Sequence, residues 1–364
     1  MGAKARKHAG ILTVEGSTHL TAPQMAIDCG DSASTLRFLT ALATLADGKT
    51  VLSGSARLRK RPIGPLVDAL KQLGVDCHSN GNYPPATVSS RLNGGQASLP
   101  GNISSQFLTG LLLACPQAPG NTTITLSSPL ESRPYVTLTT SVIKKHGICI
   151  KTSRGPHVFE IPGNQRYKPA RHDIPGDFSS AAFLMVAAAI TQSHLVIENL
   201  PIDQPDSEII TIMRKMGVRI RHNSDRVEVL GGKLNGAQLD VRDTPDLVPP
   251  CAALAAFSEG ETRIWGAERL RIKESDRLSA LTSELRKLGV QIWEHEDGLA
   301  IRGPGRLTGT RVDSHNDHRI AMACAVVGLK AEGQTEIANG ECVDKSYPEF
   351  YRDLNRIGGC VGVG

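Results

Sequence analysis

The chain has 364 residues, room for two ordinary domains, and its 40% hydrophobic and 21% charged composition excludes a wholly disordered polypeptide. A formal charge of +5 with 4% aromatic residues suits a small anionic substrate but is too weak a cationic and stacking repertoire for nucleic acid. The cysteines Cys29, Cys77, Cys115, Cys149, Cys251, Cys324, Cys342 and Cys360 form no Cys-x-x-Cys pair, which points away from zinc or redox motifs and toward reduced, buried thiols in a cytoplasmic protein.

Residues 1–28 begin with a basic run and no apolar segment follows it, so no secretory signal is expected. Asp31-Ser-Ala33-Ser-Thr-Leu-Arg37 then opens a small-residue apolar helix that leads through the turn Gly48-Lys-Thr into a strand, over residues 35–52. Lys60-Arg61-Pro62-Ile-Gly64 precedes an amphipathic helix ending Leu70-Lys-Gln-Leu-Gly74-Val. Both phrases return. Ser104-Ser105-Gln106 opens residues 105–126 with the turn Gly120-Asn-Thr, and Ile143-Lys-Lys-His-Gly147 follows. After the proline-bracketed stretch Pro169–Pro175, Asp177-Phe-Ser-Ser180 opens residues 180–197, and Met213-Arg-Lys-Met-Gly217 follows. Asp246 stands before residues 248–264, and Arg271-Ile-Lys273-Glu274-Ser-Asp276-Arg277 before the helix ending Leu285-Arg-Lys-Leu-Gly289. Asn316-Asp-His318-Arg319 opens residues 318–337, then come Asp344-Lys345-Ser-Tyr347-Pro and Leu354-Asn-Arg-Ile-Gly358.

The phrases therefore recur roughly every 70 residues. The Lys/Arg-bearing helices, each closed by a C′ glycine, belong outside, and helices apolar on all sides, such as Ala181–Ile190, must be buried. That apolar run is about half of what a bilayer requires, so no membrane span is expected. Each repeat reads as βαβαββ with one inner and one outer helix. The expectation is an α/β (α+β) fold of five such units, a solenoid being the alternative arrangement. Residues 1–172 would hold two units and residues 173–364 three.

Chemically dense residues sit just before the inner helices, where unpaired N–H groups and the helix dipole favour anions. Seen alone, Ser104-Ser105 reads first as a plain N-cap and Lys273–Arg277 as a solvated helix start; recurrence of the arrangement before five inner helices shifts the reading toward a shared anion site. Planar arginine forks suit phosphate and carboxylate.

The segments Arg61-Pro-Ile-Gly, Ser104-Ser-Gln-Phe-Leu-Thr, Ile272-Lys-Glu-Ser-Asp-Arg-Leu, Asn316-Asp-His-Arg-Ile-Ala-Met and Asp344-Lys-Ser-Tyr-Pro-Glu-Phe resemble, in order, those of the EPSP synthase (3-phosphoshikimate 1-carboxyvinyltransferase) family. The resemblance runs from about Cys29 to Tyr351 and is unlike the related UDP-GlcNAc enolpyruvyl transferases, whose cysteine-bearing loop has no counterpart here. It implies two domains of three βαβαββ units each and transfer of the enolpyruvyl group of phosphoenolpyruvate to the 5-hydroxyl of shikimate 3-phosphate, without metal or organic cofactor. It further implies that Ser104, Ser105 and Ser132 hold the shikimate phosphate, with Tyr135 beside the ring, Lys273 on the same ring and Gln106 on both substrates. Arg61, Arg277, Arg319 and Lys345 would grip phosphoenolpyruvate. Asp246 would be the general base, and Glu274 would protonate the methylene carbon with His318 nearby. A monomeric cytoplasmic enzyme with small-molecule substrates, no nucleic acid and no membrane partner is implied.

Three departures from the family pattern matter. Ala33 stands where the family has glycine against the phosphoenolpyruvate site, which implies lowered affinity for the longer ligand glyphosate. Arg269 replaces an asparagine near the shikimate hydroxyls. Residues 1–28 resemble only the tail strands of the family's first unit, whose Lys-Ser…Arg motif is not found before Cys29. Two functional readings follow: an active enzyme, or a catalytically impaired remnant that binds shikimate 3-phosphate or needs a separate N-terminal fragment. RNA 3′-terminal phosphate cyclases use similar units, but would need basic patches that this sequence does not show.

Overall fold

The computed structural model describes residues 1–9, 11–17, 19–153 and 157–362, which divide into two compact units, Met1–Arg171 and His172–Gly364. In the first unit the inner helices are α1 (Ala33–Ala43) and α3 (Ser105–Ala114), and the outer ones are α2 (Gly64–Gln72) and α4 (Arg133–Lys145). The second unit has inner helices α5 (Phe178–Ile190), α7 (Val248–Ala255) and α9 (His318–Gly328), with α6 (Ile209–Lys215), α8 (Arg277–Lys287) and α10 (Phe350–Arg356) outside. None of the described helices is long and apolar enough to cross a membrane.

Sequence alone separates the two classes. All eight residues of α7 are buried, and in α5 only Ser179 and Ser180 escape burial, because neither helix carries a charged side chain. The outer helices α2, α4, α6 and α8 keep Lys or Arg in the last turn, toward the negative end of the dipole. Each is followed by a left-handed glycine or a residue leading to one: Gly74, Gly147, Gly217 and Gly289 all have φ between 80° and 93°.

Three sheets share one strand order: a parallel pair flanked by an antiparallel hairpin. They are Ile27–Asp28, Thr50–Ser53, Tyr83–Val88, Cys77–Asn80; Gly95–Leu99, Thr122–Leu126, Val158–Ile161, Lys151–Thr152; and Gln238–Asp240, Gly260–Trp265, Gly298–Gly303, Gln291–His295. Together with their helices these are complete βαβαββ units. The unit around α5 has a three-stranded sheet, and among the described residues the one around α9 has the parallel pair Arg311–Asp313 and Glu336–Ala338 alone. Lys4–His8 and Ile11–Glu15 form an antiparallel hairpin with every described residue exposed.

Close helix approach sets the geometry of the first unit. A Cβ on Gly110 of α3 would lie 3.0 Å from the Arg37 carbonyl of α1, so glycine lets the two inner helices pack at this distance without either giving way. Leu36, Phe107, Leu111 and Leu112 fill the seam with no exposed surface. Six cysteines are buried, and Cys149 and Cys360 are exposed.

Candidate active site

In the first unit the N-termini of α1 and α3 meet on one buried cation. Arg37, 3% exposed, lies one turn into α1 and stacks over the Phe107 ring at 4.6 Å. Its Nη1 donates to Ser104 Oγ (3.0 Å) and Gln106 Oε1 (2.8 Å), and Nη2 donates to the Pro62 carbonyl (2.8 Å). Gln106 Nε2 in turn donates to Ser34 Oγ (2.8 Å), which fixes the carboxamide in one orientation. Ser104 is the N-cap of α3, its Oγ accepting from Gln106 N, and Ser105 begins the helix. Arg61 is buried directly before Pro62, at the end of the short 3-10 segment Leu58–Lys60. Ser34, Ser104, Gln106 and the Pro62 carbonyl, which follows Arg61, are thus tied to one cluster. Ala33, 3% exposed, is the first residue of α1, after its N-cap Ser32. Ser132 (buried, φ 53°) and Tyr135 stand at the start of α4, which packs on α3 through the Thr109–Thr139 hydroxyl pair at 3.1 Å.

Arg37 was legible only as the end of a motif. Its signal is a lone charge on an otherwise apolar inner helix. Arg37→Met would leave the Gln106 and Pro62 oxygens without their charged donor, so we expect a loss of about 3 kcal/mol. Urea unfolding should show a lower midpoint with an unchanged slope.

In the second unit, three carboxylates converge on Arg277, whose side chain is 2% exposed. Its Nε donates to Asp317 Oδ2 (2.8 Å), Nη1 to Asp246 Oδ1 (2.8 Å), and Nη2 to Glu274 Oε2 (2.7 Å) and Asp317 Oδ1 (3.3 Å). Among the described residues Nη1 has Asp246 as its one acceptor, which leaves its second hydrogen for another. Asp317 caps α9, accepting from Arg319 N, and takes a further bond from Ser275 Oγ (3.0 Å). Asp246 lies on the 3-10 turn Pro245–Leu247 before α7 and is also paired with Lys273 (3.4 Å) and Arg319 (3.4 Å). Lys345 Nζ donates to the Asn316 carbonyl (2.8 Å). Arg271 braces the loop from outside through Asp276 (3.0 Å) and Glu294 (2.7 Å). The helix start read as solvated when taken alone is therefore an interior ion cluster.

Burial would push the Asp246 carboxyl up, but Arg319, Lys273 and Arg277 hold it well below the usual range. Asp317 is likewise lowered against burial, chiefly by Arg277. Burial, with Arg319 and Arg277 beside it, pushes His318 down to about 4, so the imidazole is neutral near pH 7. Its Nδ1 has no hydrogen-bond partner among the described residues. Glu274, 20% exposed in its side chain, has both Arg277 and the negative Asp317 for neighbours. Arg269 turns inward and donates to the Arg242 carbonyl.

This arrangement offers fixed cations and helix N-termini to an anion, with two carboxyl groups beside them. The family model of EPSP synthase (3-phosphoshikimate 1-carboxyvinyltransferase) matches residues 1–354. A 3-phosphoshikimate 1-carboxyvinyltransferase of Methanocella arvoryzae is 46% identical over 346 residues, covering 94% of this chain and 81% of that protein. The protein of that name from Methanococcoides burtonii is 43% identical, covering 99% and 86%. A solved EPSP synthase structure from Acinetobacter baumannii superposes with a TM-score of 0.82 at 30% identity, over 100% of this chain and 86% of the other.

Proposed function

The chain belongs to the EPSP synthase family, and from that premise we propose that it transfers the enolpyruvyl group of phosphoenolpyruvate to the 5-hydroxyl of shikimate 3-phosphate, releasing phosphate. The observation that carries this reading is the Asp246–Glu274–Arg277–Asp317 cluster with Lys273 and Arg319, an acid–base and cation set built from motif residues of that family.

The first unit's Ser104, Ser105 and Ser132 hold the shikimate phosphate, where hydroxyls at helix starts suit an anion. Tyr135 lines the ring, and Gln106, oriented by Arg37 and Ser34, contacts both substrates. Arg61, Arg319 and Lys345 grip the phosphoenolpyruvate phosphate and carboxylate, with Arg277 contributing the hydrogen not committed to its carboxylates. Asp246 takes the proton of the 5-hydroxyl as its oxygen bonds to C2 of phosphoenolpyruvate, while Lys273 holds the ring. Glu274 delivers a proton to C3, which makes a methyl group, with the neutral His318 beside it. Expulsion of phosphate, which carries off the proton held by Asp246, with return of a methyl proton to Glu274 regenerates the enol ether and both carboxyl groups, so atoms and charge balance. We read the enzyme as a cytoplasmic monomer.

The test is inorganic phosphate release from phosphoenolpyruvate by the purified chain. Release that requires shikimate 3-phosphate supports the reading, and none in a folded, monodisperse sample sinks it. The same assay decides the Ala33 proposal. Its methyl crowds a ligand bulkier than phosphoenolpyruvate, so inhibition by glyphosate should be weak, and tight inhibition competitive with phosphoenolpyruvate would refute that point.

A further inference from the structure

Two turns along α8 from Arg277, and on the same face, lies a second buried charge that the reaction leaves unused. Glu284 is 1% exposed and all of its acceptor positions are filled. Oε2 accepts from the Asp313 backbone N–H (2.8 Å) and Lys287 Nζ (2.7 Å), and Oε1 from Ser283 Oγ (3.0 Å) and the His315 imidazole Nε2 (2.9 Å). Burial would raise this carboxyl, yet Lys287, the Asp313 amide, His315 and Ser283 hold it down to about 2, so it is ionised at any working pH.

What Glu284 grips is unusual backbone. His315 and Asn316 are consecutive non-glycine residues with φ of 52° and 54°, a left-handed pair that ordinary side chains disfavour. This turn leads directly into the N-cap Asp317 and then His318 and Arg319. It is tied down at both ends by α8, with Glu284 on Asp313 and His315, and Arg277 on Asp317. Asp313 Oδ1 closes the turn from within by accepting from His315 N (2.7 Å), and Asn316 O takes Lys345 Nζ (2.8 Å). Release of the first anchor would let the strained pair relax. It would carry with it both the Asn316 carbonyl that seats Lys345 and the helix start that aims Arg319.

We propose that Glu284 is a positioning residue for this site: by clamping the left-handed turn His315–Asn316 it sets Arg319 and Lys345 for the phosphoenolpyruvate anion, without touching substrate. The consequence for substrate rests on the function proposed above, whereas the clamp itself does not. Two measurements separate them. In Glu284→Gln, backbone amides of residues 313–319 should exchange with deuterium at least about tenfold faster while α5 and α7 stay protected. The KM for phosphoenolpyruvate should rise about tenfold with that for shikimate 3-phosphate within about twofold, a split that general loosening of the unit would not give. His315→Ala, which removes one donor from a half-exposed position and keeps the buried carboxylate satisfied by the rest, should shift both readouts the same way by about threefold. Unchanged exchange at 313–319 in Glu284→Gln overturns the clamp. Faster exchange with an unaltered phosphoenolpyruvate KM, or with both KM values raised alike, overturns its positioning role. If the unaltered chain releases no phosphate, the proposed function falls, and the exchange arm still decides the clamp.

Discussion

Replacement of Arg277 by methionine is expected to lower the melting temperature of the second unit at pH 7 by roughly 6–20 °C, the equivalent of about 3–5 kcal/mol for a buried ion left without its partner. Methionine fills much of the same volume, so the loss would be electrostatic. Asp317 has no exposed side-chain surface, and it would keep only Ser275 and helix N–H donors while facing Glu274. The pH dependence identifies the cause. In the parent, Asp246 and Asp317 have lowered folded pKa values, so their contribution is fully present above the unfolded carboxylate range, near pH 4, and fades as pH drops through the lower folded values. In the variant Asp317, stripped of its chief cation, should titrate above its unfolded value, while Asp246 keeps Arg319 and Lys273. The Asp317 penalty is then greatest at neutral pH and is relieved by protonation. The gap between the two melting temperatures should therefore narrow between pH 7 and pH 4.5, and a constant gap would mean that packing, not charge, was lost. Arg277→Lys should recover little, since one ammonium cannot span three carboxylates. Activity should fall in both variants by about two to three orders of magnitude, because Asp246 and Glu274, the base and acid of the proposed reaction, are aligned on the same guanidinium.

The repeat was readable because it is local. Apolar runs without charges, such as Ala181–Ile190, can only be inner helices, and Lys/Arg followed by glycine marks the end of each outer one. Three of the units have the expected strand order. Their sequence cue is the small turn, for example Gly48-Lys-Thr, between inner helix and strand. Residues before the inner helices were legible for the same reason: Ser104, Asp177 and Asp317 cap helices through their own side chains. Long-range partnerships were not. Arg277 meets Asp317 across 40 positions, Arg37 meets Gln106 across 69, and Glu284 meets His315 across 31. No periodicity records such pairs. Glu284 in particular sits in an ordinary-looking Ser-Glu-Leu-Arg-Lys helix end, where Lys287 three residues on suggests nothing more than a surface ion pair. A half-exposed histidine beside it gives no hint that the carboxylate between them is buried.

Asp246→Asn should cut kcat by about two to four orders of magnitude without raising the KM for phosphoenolpyruvate. The second half of that expectation follows from the pairing. Asp246 now occupies Arg319 and Lys273, and an amide in its place would release both toward an incoming anion. The first half faces an objection, since a carboxylate held well below the usual range is a weak base. Two of the cations that depress it, Arg319 and Lys273, are the ones the substrates claim in the proposed reaction. As phosphoenolpyruvate draws on Arg319 and the shikimate ring on Lys273, less positive charge faces Asp246, and its proton affinity rises where the 5-hydroxyl needs it. Two pH profiles test this coupling. For kcat/KM, which reports the free enzyme, Asp246 stays ionised and His318 neutral down to about pH 4, so the acid limb should lie there. For kcat, which reports the complex, the limb should be displaced to higher pH, by a distance that measures how much of the cations' field the substrates have taken. Coincident limbs would mean that Arg319 and Lys273 never leave Asp246. The base would then have to be sought elsewhere, with Glu274 the more exposed of the two other carboxylates on the shared guanidinium.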